Sequence, residues 1–381
     1  MNANTTTWIG MDVHGGSINF AMLSRDGELT EGRIENGPAA VRGLVKQLRR
    51  RKADVIRACY EAGPTGFVLQ REFESNGLIC EVIAPSQIPK KSGDRVKTDR
   101  RDARELAELY RAGLLRPVHI PTPGEQAARN LVRRTERARR LAARTKTEIK
   151  SLLLSLGYRT QHSKWTKGHL DELRKLRLGE PDDQLALDDA LLALEQAQER
   201  VKRLDAHVHR LAETPALKPV ASALQCFKGI AELTAVRIAT EVPSPERFPT
   251  ARHFMGYVGL GCSESSSGQA VSRGGITKTG NGRLRWNFVE AAQHADAPVG
   301  RESRRAAKMR REQPEWVREL ARKAERRLHD RFYTLRRANK PHNVAVTAVA
   351  RELAGFTWAV MTRLARERCV VIDQDGAVVN A

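Results

Sequence analysis

Short apolar runs separated by polar turns open the chain. WIGMDV and INFAML flank the small turn HGGS, and GELTEGRI continues the pattern, so residues 8–35 read as a β-hairpin or meander. The stretch AVRGLVKQLRRR, from Ala40 to Arg51, spaces its apolar residues as an amphipathic helix does. After it come the strand-like DVIRACYEA and a GPTG breaker. FVLQREFESNG has helical spacing again and stops at Gly77, a residue suited to a helix C-cap. LICEVIAP is a further strand, and the basic segment KKSGDRVKTDRRDARELAELYRAGLL turns helical in its second half.

The order β-β-β-α-β-α-β followed by a helix is that of a ribonuclease-H-like α/β domain, expected over residues 1–121. From Thr122 to Thr214 the pattern changes to long helices with little strand signal. Residues 129–150 carry nine Lys/Arg against two Glu, whereas residues 180–199 carry seven Asp/Glu and no base. Leu187, Leu194, Val201 and Val208 fall at heptad position a, and Ala190, Ala197, Leu204 and Leu211 at d. Four such heptads predict a central coiled coil over 122–214, and a second subunit is the favoured cover for its seam. A mainly helical region follows over residues 215–366. It includes FKGIAELTAVRIATEV, with a Gly-Ile turn between helical segments, a small-residue run GCSESSSGQAVSRGGITKTGNGRL, a helix from about Leu284, and the apolar helix VAVTAVARELAGFTWAVM. Residues 367–381 read as a tail. The fold class is thus α/β plus α.

Charge narrows the partners. The 381 residues hold 66 Lys/Arg and 45 Asp/Glu, a net charge of +21, and residues 301–340 alone hold fifteen bases against six acids. A polyanion is the natural partner, and clusters of this kind supply backbone affinity rather than sequence choice. No isolated basic amphipathic helix points to a membrane surface. The first residues lack a signal core, so a cytoplasmic, nucleoid-associated protein is expected. The five cysteines, Cys59, Cys80, Cys226, Cys262 and Cys369, form no CxxC pair, which argues against a zinc site or a disulfide framework.

Four carboxylates occupy positions with chemical promise. Asp12 lies inside an apolar strand, and Glu61 ends another just before a Gly-Pro break. A buried strand tolerates a carboxylate poorly unless a cation or donor meets it. Asp99 and Asp102, three apart at a helix start, project from one face. Two neighbouring strand ends and one helix face can bring all four to a point, where two Mg²⁺ ions roughly 4 Å apart would offset their repulsion and act on a phosphodiester. Taken singly, each has an ordinary structural use: a turn cap, a strand-end charge, a helix N-cap, a first-turn acid. MDVHGGS could also serve as the phosphate turn of an actin-like sugar kinase, but no second phosphate turn or adenosine motif follows.

GMDVH, YEAGPTG and KTDRRDARELAELYRAGLL resemble, in order and spacing, the RuvC-like amino-terminal domain of the DEDD transposases of bacterial insertion sequences, the "one-ten" family of bridge-RNA-guided recombinases. FKGIAELTA looks like the family's helix-hairpin-helix-like segment, FMGYVGLGCSESSSGQAVSRGGITKTGNGRLR like its serine-bearing motif, and NKPHNVAVTAVARELAGFTWAVM like its closing helix. The resemblance spans about residues 8–365. It implies that Asp12, Glu61, Asp99 and Asp102 bind metal, and that the catalytic serine, which precedes a glycine, is Ser267 before Gly268, with Ser266 the near rival. It further implies a composite site of acids and serine, a homo-oligomer (dimer or tetramer), and DNA and a noncoding guide RNA as partners. Two positions depart from the family pattern: Gly229-Ile230-Ala231 stands for Gly-Ile-Gly, and Cys262 replaces a proline.

By itself, Ser265-Ser266-Ser267-Gly268 is a flexible polar loop. Its sequel changes the picture, because Arg273, Lys278, Arg283 and Arg285 alternate with Gly274, Gly275, Gly280 and Gly282. Cations and bare backbone amides could there approach a phosphate closely. Arg133, Arg137 and Arg140 on the long basic helix are further candidates for nucleic-acid contact. A serine that attacks DNA phosphate would store the bond energy as an ester, so strand exchange would need no nucleotide cofactor. A hydrolytic RuvC-like nuclease or junction resolvase, and an inactive nucleic-acid-binding protein, remain as the other readings.

Overall fold

The computed structural model describes residues 5–50, 54–89, 98–159, 164–265, 267, 272–302, 304–372 and 378–380, and it divides into two compact units, residues 1–121 and 122–381. In the first unit β1 (Thr5–Val13), β2 (Ser17–Leu23) and β3 (Leu29–Glu35) form an antiparallel meander. The helix α1 (Pro38–Arg49) returns the chain to β4 (Asp54–Glu61), which runs parallel to β1, and α2 (Val68–Ser75) leads to β5 (Ile79–Ile83), parallel to β4. The sheet order is β3-β2-β1-β4-β5, consistent with a ribonuclease-H-like domain. Gly77, at φ +74°, turns the chain out of α2 as the sequence pattern expects.

Period-two alternation divides the core between the two faces of this sheet. Ile9, Met11, Ile56, Ala58, Tyr60 and Val82 meet Val41, Leu44, Val45 and Leu48 of α1 and Leu69 and Phe73 of α2. On the other face lies α3 (Asp99–Arg111): Leu106 and Tyr110 pack on Cys59 and Ile83, while Ala103 and Ala107 pack on Ala21 and Leu23. Gly10 permits this approach. A Cβ there would collide with the backbone oxygen of Ala103 and the backbone nitrogen of Ala107, so α3 can lie directly on β1 only because residue 10 has no side chain.

The second unit starts with α4 (Pro123–Ser155), whose N-terminus is a capping box: Thr122 Oγ1 accepts from Glu125 N, and Thr122 N donates to the Glu125 carboxylate. After α5 (Lys167–Lys175), α6 (Pro181–Ala212) runs back antiparallel along α4. Leu187 and Leu194 are buried with Ile149 and Leu153 of α4 and Leu173 of α5. The heptad face that the sequence reading turns towards a second subunit is therefore turned on α4 of the same chain. The physical reason is that α4 carries its own apolar stripe and the α5 connection is short enough to return the chain to it.

Beyond the hairpin come α7 (Lys218–Leu224), α8 (Glu232–Glu241), α9 (Ala251–Val258), β6 (Cys262–Glu264), β7 (Arg273–Ile276), α10 (Gly282–Ala292), α11 (Arg304–Arg311), α12 (Glu315–Arg337) and α13 (His342–Cys369). Val132, Val208 and Ala212 at the root of the hairpin join Phe254, Phe288, Val317, Val349 and Leu353 in one core. Residues 122–214 and 215–366, distinct in sequence texture, thus share a hydrophobic interior. Among the described residues α13 alone is long and apolar enough to cross a membrane by length and composition, and half of its most apolar stretch is buried inside this unit. Where a tail is expected, β8 (Val370–Ile372) pairs antiparallel with β9 (Val378–Asn380), with Val371 opposite Val379.

Candidate functional site

The parallel ladder between β1 and β4 pairs Met11 with Tyr60, which sets the next residues, Asp12 and Glu61, side by side at the ends of the two central strands. Since Met11 and Tyr60 face α1 and α2, Asp12 and Glu61 fall on the α3 face. There α3 begins. Thr98 caps it, its Oγ1 accepting from Arg101 N at 3.4 Å, and Asp99 and Asp102 occupy the first turn, where the helix dipole favours negative charge. Among the described residues, carboxylate oxygens of Asp12 and Asp99 and a ring nitrogen of His14 lie within 4.8 Å of one another. His14 Nε2 is 3.1 Å from Asp12 Oδ2 and 3.6 Å from Asp99 Oδ1, and Asn19 Nδ2 donates to Asp99 Oδ2 at 3.5 Å.

Burial pushes the Asp12 carboxyl above its ordinary value, the His14 ring beside it pulls it down, and the charges of Asp99 and Asp102 push it up again. A half-buried carboxylate crowded by like charges is the environment that a divalent cation relieves, and hard oxygen donors suit Mg²⁺ or Mn²⁺. The donor set fits a metal. Asp12 and Asp99 would hold it, with His14 beside them and Asp102 close enough to act on Asp12. Glu61 is exposed and its carboxylate lies outside the group that shares 4.8 Å, although the register keeps it next to Asp12. Sequence reasoning missed His14, whose signal was its place two residues after Asp12 at the mouth of the strand.

Ser267 belongs to the second unit, in the connection between β6 and β7, and is exposed. Ser265 N donates to Ser272 O at 2.9 Å, which closes the base of that connection, and Ser263 Oγ donates to Gly275 O at 3.1 Å. Ser266 and Gly268 lie outside the described residues. The hairpin is fastened at its root: Thr277 N donates to Gly261 O, Lys278 N to Gly259 O, and Asn281 N to Tyr257 O. Lys278 is exposed with φ +56°, and Gly280 at φ +69° sits where a Cβ would strike the Tyr257 carbonyl. Cys262 receives Arg351 Nη1 at its sulfur at 3.3 Å.

The arginines expected to contact nucleic acid divide into two groups. Arg133 forms a bidentate pair with Glu241 at 2.7 and 2.8 Å, Arg283 pairs with Glu136, and Arg285 donates to the carbonyls of Val258 and Thr279. Burial works to raise the Glu241 carboxyl, but the Arg133 hydrogen bonds, its charge and a 3.0 Å bond from Asn281 Nδ2 outweigh it and hold the group below the usual carboxylate range. Asn281 also caps α10, its Oδ1 accepting from the amides of Arg283 and Leu284, so those amides are already satisfied. Arg137 and Arg140 are exposed on α4, and of Arg273 only the backbone, in β7, is described. In the hairpin-like turn Gly229, at φ +83°, packs against the Ala291 carbonyl, and Lys228 Nζ donates to Ala297 O, Pro298 O and Glu325, so that lysine faces inward.

Segments of both units are similar to known proteins. The family model for DEDD transposases of the IS110 type, described as "Transposase", matches residues 9–157, and the model "Transposase IS116/IS110/IS902 family" matches residues 221–306. A putative transposase, y4qE, of Sinorhizobium fredii is 39% identical over 358 residues, covering 93% of this chain and 88% of that protein. The transposase for insertion sequence element IS1533 of Leptospira borgpetersenii is 29% identical over 341 residues, covering 87% of this chain and 97% of the relative.

Proposed function

The chain belongs to the IS116/IS110/IS902 family of DNA transposases, and from that premise we propose that it cuts and exchanges DNA strands by transesterification, with Ser267 as nucleophile and with Asp12, Glu61, Asp99 and Asp102 as the acids that hold metal. The observation that carries this reading is the convergence of Asp12, Asp99 and His14 at the mouth of a buried strand, with the Asp12 carboxyl raised by burial and by the charges of Asp99 and Asp102. Divalent ions bound there, two Mg²⁺ in the favoured form, would supply positive charge to the attacking and leaving oxygens of a phosphodiester.

The residues do the rest. Ser267 Oγ bonds to phosphorus as its proton departs and one DNA oxygen leaves, so the bond energy is kept in a phosphoserine ester until a second DNA hydroxyl reverses the exchange. Exposure of Ser267 suits attack on a macromolecular substrate. The proposal assigns acids and serine to one reaction, in a homodimer or tetramer, as the family resemblance implies. Choice of target by a guide RNA fits a chain of net charge +21 with only 5% aromatic residues, strong in backbone attraction and poor in base readers.

Asp102→Asn tests the metal assignment. It should abolish Mg²⁺-dependent cleavage of DNA carrying the element's ends and leave nucleic-acid affinity nearly intact, because a metal-site acid is lost and the basic surfaces are untouched. Cleavage at the unaltered rate would remove Asp102 from the site.

A further inference from the structure

Of the five tryptophans only Trp286 is exposed, at 48% of its surface; the other four are half-buried. Its helix does not need it for packing. The inward face of α10 is made by Leu284, Phe288, Ala291 and Ala292, all buried. A large aromatic left in water on an otherwise complete helix carries a hydrophobic cost that a ligand can recover. One face of the ring is already supported: the Arg237 guanidinium, buried in α8, lies with Cζ 5.7 Å from the ring centroid. Arg237 is itself fixed by Glu136, at 3.4 Å, and by Asn287 Oδ1, which accepts from its Nη1 at 3.4 Å. The indole is thus a braced plate whose exposed half points to solvent.

The surroundings are cationic. Arg133, Arg137 and Arg140 share one face of α4 with Glu136, and Arg283 and Arg237 reach the same carboxylate from α10 and α8. With Glu241, which holds Arg133, that makes five arginines against two carboxylates, while the neighbouring Arg139 is matched by Asp205 at 2.5 Å. We propose that Trp286 is a stacking platform for an unpaired base of single-stranded DNA, whose flanking phosphates are held by Arg137 and Arg140. An indole face takes any base but only an unstacked one, because in a duplex both faces of each base are covered. DNA is the strand in question because α10 follows directly on the β6–β7 hairpin that carries Ser267 and is bonded to its root through Asn281. The inference rests on the reading that Ser267 acts on a DNA strand.

The test compares an oligothymidylate of about 12 nucleotides with an abasic oligomer of equal length, which keeps the phosphates and lacks the bases. The full-length protein should bind the thymidylate more tightly by roughly 5- to 150-fold, the effect of one stacked base. Trp286→Ala should remove most of that preference and leave affinity for the abasic oligomer unchanged. Trp286→Phe should keep the preference and lose the quenching of tryptophan emission that thymidylate causes in the unaltered protein. Equal binding of the two oligomers, or a full preference and full quenching without Trp286, would overturn the platform. A preference seen with oligouridylate alone would overturn the assignment to DNA. Loss of all binding to single-stranded and duplex DNA in the unaltered protein would be a different failure, that of the DNA-acting reading itself.

Discussion

Gly10 decides where the carboxylates can meet. Its missing side chain lets α3 lie on β1, and that contact carries Asp99 and Asp102 to the end of the strand where Asp12 stands. Gly10→Ala should force α3 outward, at about 1–3 kcal/mol of stability, and should weaken Mn²⁺ binding measured by titration calorimetry even in protein that remains folded. Unchanged melting and metal affinity would show that the helix position does not depend on this glycine. Asp12 itself was legible in the sequence, since a carboxylate inside WIGMDV is out of place unless something answers it. The fate of the arginines was not. Arg133 finds Glu241 across 108 residues and Arg283 finds Glu136 across 147, and charge counted along a chain contains no information about partners so far apart.

At the level of elements, the strand and helix order of the first unit follows from alternation and breakers alone, because each strand there has one face on α1 and α2 and the other on α3 or solvent. The heptads of α6 were equally plain, with Leu187, Leu194, Ala197 and Val208 buried. What a heptad pattern lacks is the identity of the helix that covers it. Here α4 does so, which makes a specific expectation for Leu194→Asp: a lost buried leucine and an unpaired carboxylate should together cost about 3–5 kcal/mol. Because the seam closes within one chain, the fall in melting temperature should be the same at low and high protein concentration. A loss that shrinks as protein is concentrated would indicate that a second chain covers the seam. The β8–β9 ribbon escaped notice because triplets such as VVI are too short for a period to be counted.

For the whole molecule, the acids belong to residues 1–121 and Ser267 to residues 122–381, each held by a core of its own. The proposed reaction needs both, and a net charge of +21 would draw the chain to DNA before any chemistry begins. The decisive measurement is a search for a covalent protein–DNA product that survives denaturant, made with DNA carrying the element's ends, Mg²⁺ and RNA transcribed from the flanks of the gene. With a serine nucleophile the adduct forms, disappears in Ser267→Ala and in Asp102→Asn, and persists in Ser266→Ala, since only one residue of the loop can lie in line with the phosphate. Free DNA ends without an adduct, produced equally well by Ser267→Ala, would contradict it and leave a hydrolytic nuclease in its place.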